Sequence, residues 1–161
     1  MVQIDESITG KSESKLRRPR GSGDGVHVDD PVIDGDGLVG KVTTVTGGDS
    51  VVTLITDQSS GVSSRVASSG VRGILQPAVG SPNDLVLQDL QPGDRVVVKD
   101  DIVTAGTTSS RLESVFPPGI PVGSVTKVDN SSLVPLVHVH PFASLGKLDY
   151  VQILVRNGGR G

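Results

Sequence analysis

The chain has 161 residues, no cysteine, a formal net charge of −3 at pH 7 and only 2% aromatic side chains. These values exclude disulfides and thiolate chemistry, give no global field to attract nucleic acid or an anionic membrane, and leave no platform of rings for stacking bases. Valine is the commonest residue, 21 Gly and 10 Pro supply turns, and no long helix-forming run occurs, so the composition is that of an all-β protein with a Val, Leu and Ile core.

Residues 2–20 are polar and charged, with Lys15, Arg17, Arg18 and Arg20 gathered at the end, and read as a flexible segment. The competing reading, a basic patch for lipid headgroups or polyanions, is weakened by Asp5, Glu6 and Glu13. The opening residues lack the apolar core of a signal peptide, and no run reaches the length of a membrane span. From Gly23 the pattern changes: Val26, Val28 and Val32-Ile33 approach a short strand, and Asp34-Gly35-Asp36-Gly37 carries hairpin turn chemistry.

The next stretch, Val39-Gly40-Lys41-Val42-Thr43-Thr44-Val45, occurs twice as V-G-x-V-T-x-V; the second copy is Val122-Gly123-Ser124-Val125-Thr126-Lys127-Val128. Valines at positions one, four and seven suit a helix, but the β-branched content and the glycine predict a strand with a bulge near its start. Seven residues do not establish a duplication; the repeat marks two equivalent strand-turn units that pack together or head two related barrels.

Between the copies, Val51–Thr56, Val62–Ala67, Ile74-Leu75, Leu85–Leu87, Arg95–Lys99 and Ile102–Thr104 read as strands, with Val62, Ser64 and Val66 on one face. Thr107–Val115 reads as a loop, and Phe116–Pro121 as a stiff extended lead into the second copy. Leu133–His140 and Leu148–Val155 close the chain as strands, with one helical turn expected in Pro141–Gly146 and a disordered tail over 157–161. Short strands at close spacing predict barrels or a sandwich. The expected division is a first barrel from 21–50 plus 114–156, holding both repeat copies, and an inserted second barrel over 51–113.

The ordered set Gly23-Asp24-Gly25-Val26, Asp30-Pro31-Val32-Ile33, Gly37–Val42, Leu54–Asp57, Gly93-Asp94, Val103–Gly106, Phe116–Gly123 and Leu148–Leu154 resembles the rod shape-determining protein MreC family. The resemblance covers roughly residues 21–155. It implies two small six-stranded β-barrels on the periplasmic or extracytoplasmic side, with no catalytic role and no cofactor. It also implies a scaffold of the cell-elongation machinery, binding a class B penicillin-binding protein, MreD and further copies of itself, as a dimer or filament. The anchor and coiled coil usual in the family are absent here, so the chain is expected to be an excised head or a variant with a replaced start.

Two kinds of chemistry compete with that reading. A double barrel invites a serine hydrolase, and Gly48-Asp49-Ser50 offers a nucleophile; yet Ser50 is followed by Val51-Val52, with no glycine to turn amides toward an oxyanion. The histidines His27, His138 and His140 lie in no telling context. His138-Val139-His140 would put two imidazoles on one strand face, but a metal needs a third ligand, for which His27 and Asp149 are guesses. The acidic turn from Asp29 to Asp36 lacks the ligand pattern of a calcium loop. Binding by surface remains, with Phe116, Pro117, Pro118, Ile120, Leu133 and Leu136 as candidates for partner binding or self-association, through exposed strand edges.

Overall fold

A computed structural model describes residues 2–5, 13–17, 25–48, 50–81, 83–106, 116–146 and 150–155. Among these there are twelve strands and no helix: β1 (Val2–Asp5), β2 (Glu13–Arg17), β3 (Pro31–Ile33), β4 (Leu38–Val45), β5 (Ser50–Leu54), β6 (Val62–Val66), β7 (Arg72–Pro77), β8 (Leu85–Gln88), β9 (Asp101–Thr104), β10 (Pro121–Asp129), β11 (Leu136–Pro141) and β12 (Tyr150–Ile153). They close two antiparallel barrels, one in the order β1-β12-β3-β4-β5-β2 and the other in the order β10-β11-β8-β7-β6-β9.

The repeat is the equivalent strand of the two barrels. In β4, Val32 pairs with Gly40 and Ile33 with Leu38, so Val39 is an extra residue on that side; on the other side the register skips Thr43, between Val42↔Val52 and Thr44↔Val51. In β10 the extra residues are Val122 against β9 and Thr126 against β11. Both copies thus carry bulges at motif positions one and five. An extra residue shifts the inward phase, which lets Val39 and Val42 both bury completely although they stand an odd number apart. Val122 and Val125 do the same.

The correspondence extends around both rings. Superposing the registers equates β1 to β5 with β7 to β11, strand for strand, and equates β12 with β6. The second barrel is continuous in sequence, whereas the first takes its equivalent of β6 from the far end of the chain. This corrects the expected division. The strands Pro121–Asp129 and Leu136–Pro141 belong to the second barrel, Ser50–Leu54 belongs to the first, and the two repeat copies lie in different barrels. The physical reason is that each repeat strand pairs with its own sequence neighbours, β5 and β11, as local hairpins, instead of with the other copy.

Three further expectations change. Residues 2–5 and 13–17, expected to be flexible, are strands that complete the first barrel, because β12 and β5 offer them backbone partners that local polarity does not reveal. Arg95–Lys99 is not a strand: Val96 alone enters the core, and Val97 and Val98 face solvent. The residues 142–146 form bends and a turn, not a helical turn. The strand Val62–Val66 does place Val62, Ser64 and Val66 inward. The loop expected over 107–115 and the tail over 157–161 lie outside the described residues.

Each barrel has its own core. Val26, Val32, Val39, Val42, Val52, Leu54, Ala143 and Val151 fill the first. In the larger second core Leu75, Leu85, Leu87, Ile102, Phe116 and Val122 are joined by Leu38 and Ile55 of the first barrel's segments, and Leu145 touches both clusters. A Cβ on Gly37 would stand 2.8 Å from the Pro121 carbonyl oxygen, so the barrels meet at close backbone range.

Candidate functional site

The surface candidates separate to opposite ends of the second barrel. Its near end, beside the first barrel, holds the Phe116–Pro121 segment. Thr104, fully buried, fastens that segment: its hydroxyl donates to the Pro117 carbonyl at 2.6 Å and accepts from the Ile120 N–H at 2.9 Å. The Gly119 N–H donates to the Thr104 carbonyl and the Thr104 N–H to the Ile120 carbonyl, both at 2.9 Å. Phe116 is 5% exposed and belongs to the core, which corrects its place among the surface candidates: a large ring beside a cluster of aliphatic side chains gains more by burial than by exposure. Ile120 is half-buried against the same core, and Pro117 and Pro118 are exposed.

The far end is where the β8–β9 connection and the β10–β11 hairpin turn lie. Leu133 is 88% exposed there, with Val134 at 40% and Leu136 at 47%; Val97 and Val98 of the β8–β9 connection are also exposed. A bond from the Lys99 N–H to the Val125 carbonyl, 2.8 Å, lays that connection alongside β10. Five of the eight exposed large hydrophobics among the described residues therefore gather at one end. The first barrel shows what the fold itself requires at this place. Its equivalent hairpin joins Val45 to Ser50, and Thr46, Gly47 and Gly48 there are small or polar. The second hairpin is longer and puts Leu133, Val134 and Pro135 in the same position. Folding does not call for exposed leucine and valine there.

The turn is set by Asp129, whose carboxylate accepts the Ser131 N–H at 2.9 Å. That bond, then the Ser131 hydroxyl and the nearby Lys127 and His138, hold the Asp129 carboxyl below the usual carboxylate range. Sequence reading missed Val97 and Val98. The signal is that three successive valines, Val96 to Val98, cannot all face one side of a strand.

The chemical candidates fare differently. Ser50 is 1% exposed at the start of β5, opposite Val45, where a hydroxyl cannot meet a substrate. His27 is exposed, with its backbone N–H on the buried Asp30 carboxylate at 2.8 Å. His138 lies on the outer face of β11, its Nδ1 2.7 Å from Asp84 Oδ2, and His140 is exposed two residues on. Asp149 lies outside the described residues. Among the described residues no group of three or more His, Asp or Glu side chains is arranged to hold a metal ion.

Comparison with known proteins follows the fold. A family model described as rod shape-determining protein MreC, barrel core, matches residues 9–155. The chain belongs to the MreC family. The cell shape-determining protein MreC of Escherichia coli (strain K12) is 29% identical over 156 residues, covering 96% of this chain and 41% of that protein, so the chain spans less than half of that relative. The crystal structure of MreC from Pseudomonas aeruginosa is similar with a TM-score of 0.79 at 27% identity, covering 93% of this chain and 94% of that one. Two more distant MreC structures share the fold. One is the major periplasmic domain of the cell shape-determining filament MreC, with a TM-score of 0.71, 22% identity and coverage of 93% and 92%. The other is from a complex between Penicillin-Binding Protein (PBP2) and MreC of Helicobacter pylori, with a TM-score of 0.64, 15% identity and coverage of 96% and 98%.

Proposed function

We propose that this chain is a non-catalytic periplasmic scaffold of the cell-elongation machinery, and that the far end of its second barrel receives the class B penicillin-binding protein. The carrying observation is the apolar tip of Leu133, Val134 and Leu136, which the equivalent hairpin of the first barrel lacks. Burying leucine and valine against a partner contributes affinity through the apolar area removed from water, about 1.5–3 kcal/mol for each side chain fully buried. Membership of a family named for cell shape, and a relative solved with PBP2, support the reading. Contact with MreD and self-association follow from the family resemblance.

The test is binding of the purified chain to the soluble periplasmic part of the wall synthase from the same cells. Leu133→Asp with Leu136→Asp should weaken binding by about tenfold or more. Val79→Asp alters an apolar side chain that is 95% exposed on the β7–β8 turn, at the opposite end, and should leave binding unchanged. Equal binding by all three proteins would refute the assignment of the surface.

A further inference from the structure

Self-association through exposed strand edges meets an obstacle: both barrels are closed, so among the described strands no edge is left to pair. The topology offers another route. β6 and β12 are equivalent strands, each following the equivalent hairpins β4-β5 and β10-β11, and each leaves its own hairpin to complete the other barrel. The chain after β5 crosses into the second barrel as β6, and the chain after β11 crosses back as β12. The two halves thus already exchange strands within one molecule.

We propose that β12 also exchanges between molecules, so that β12 of one copy closes the first barrel of the next. The seat for it lies between β1 and β3. Val151 pairs with Val2 and is buried in the first core at 1% exposure; Gln152 pairs with Ile33, Ile153 with Val32, and the Leu154 N–H donates to the Pro31 carbonyl at 2.8 Å. An empty seat would expose a row of unpaired backbone groups on both β1 and β3 together with an apolar hole, and the segment that fits both is β12 itself. The partner is therefore a second copy of this chain. Exchange reproduces the same pairings, so its balance is set by concentration and by the connection from Pro141, where Gly146 is exposed with nothing near its Cβ position. Exchange that is reciprocal closes a dimer, and exchange in which each copy gives to one neighbour and receives from another builds an open filament.

This inference rests on the proposed self-association and gives it a mechanism. The lack of cysteine makes the test direct. Chains carrying only Ile33→Cys are mixed with differently tagged chains carrying only Gln152→Cys, refolded together over a range of concentrations, and oxidised. A disulfide between the two positions in different chains, identified by peptide mass and rising in yield with concentration, is the expected result. The neighbouring registered pair, Val32→Cys with Ile153→Cys, serves if the first does not fold. A double Ile33→Cys/Gln152→Cys chain, closed at low concentration, should sediment as a monomer where the unmodified chain associates. Association of the unmodified chain without any interchain disulfide would overturn strand exchange and leave surface association standing. A monomer at every concentration would overturn both.

Discussion

Replacing Gly40 by alanine would put a methyl carbon 2.0 Å from the Thr53 carbonyl oxygen and 3.0 Å from the Leu54 Cα. Gly123→Ala meets the equivalent obstruction, the His140 carbonyl oxygen at 2.3 Å. Both obstacles are backbone of the paired strand, so no side chain can swing aside. The strands of the hairpin must part by roughly an ångström, out of a normal spacing of about 4.8 Å, and the ladder bonds stretch with them. Overpacking of this kind costs about 1–3 kcal/mol and each weakened ladder bond about 1 kcal/mol, against about 0.4–1 kcal/mol gained from the stiffer unfolded chain. A net loss of about 3 kcal/mol lowers Tm by about 6–12 °C for a chain of this size. The assay is thermal and urea melting of both variants, with Gly47→Ala as the control, since nothing lies within 4 Å of its Cβ position. The control should stay within about 0.5 kcal/mol of the parent. A Gly40→Ala chain as stable as the control would refute the claim that the glycine of the repeat is there for backbone approach.

Thr104→Val keeps the shape of a fully buried side chain but strips the Pro117 carbonyl and the Ile120 N–H of their partner. A loss of about 2 kcal/mol in urea melts is expected, with faster amide exchange at Ile120. The Asp129 carboxyl is held low when folded, so its contribution is present above the unfolded value of about 3.9 and is lost as pH falls through the lower folded value. A carboxyl-carbon titration by NMR should give a midpoint below that of a denatured control, and Ser131→Pro, which removes the N–H donor, should move it back up.

The fold class was legible because composition and turn spacing leave few alternatives for so many short, Val-rich segments. The repeat was legible as a pair of bulged strands, since valines an odd number apart in a β-branched stretch need an extra residue to share a face. Its partner was not legible. Strand pairing is decided by backbone partners that any sequence can supply, so nothing in V-G-x-V-T-x-V says whether the copies pair with each other or each with its own hairpin. The same reason hid β1 and β2: a four-residue alternation such as Val2-Gln3-Ile4-Asp5 gains its order from β12, nearly the whole chain away. Of the surface candidates, Leu133 and Leu136 were readable as apolar residues beside the polar turn Asp129 to Ser132. Phe116 was misread, because proline stiffness on its C-terminal side says nothing about where the ring points.

The duplicated barrel allows one further separation of folding from function. At positions the registers equate, Val39 and Val122, Gly40 and Gly123, Val42 and Val125, Thr43 and Thr126 recur, and they are the residues the bulged strand needs to turn its valines inward. On the neighbouring strand the equated residues do not recur on the outer face: Val51 and Thr53 correspond to His138 and His140. In the first barrel Thr53 is buried, its hydroxyl 2.9 Å from that of Thr43. In the second, His140 is exposed and His138 reaches Asp84 on the β7–β8 turn. Positions that match are those the bulged strand requires, and positions that differ are free of that requirement. The proposal that partners bind along the outside of β11 to the Leu133 tip therefore draws support from the comparison of the two barrels as well as from exposure.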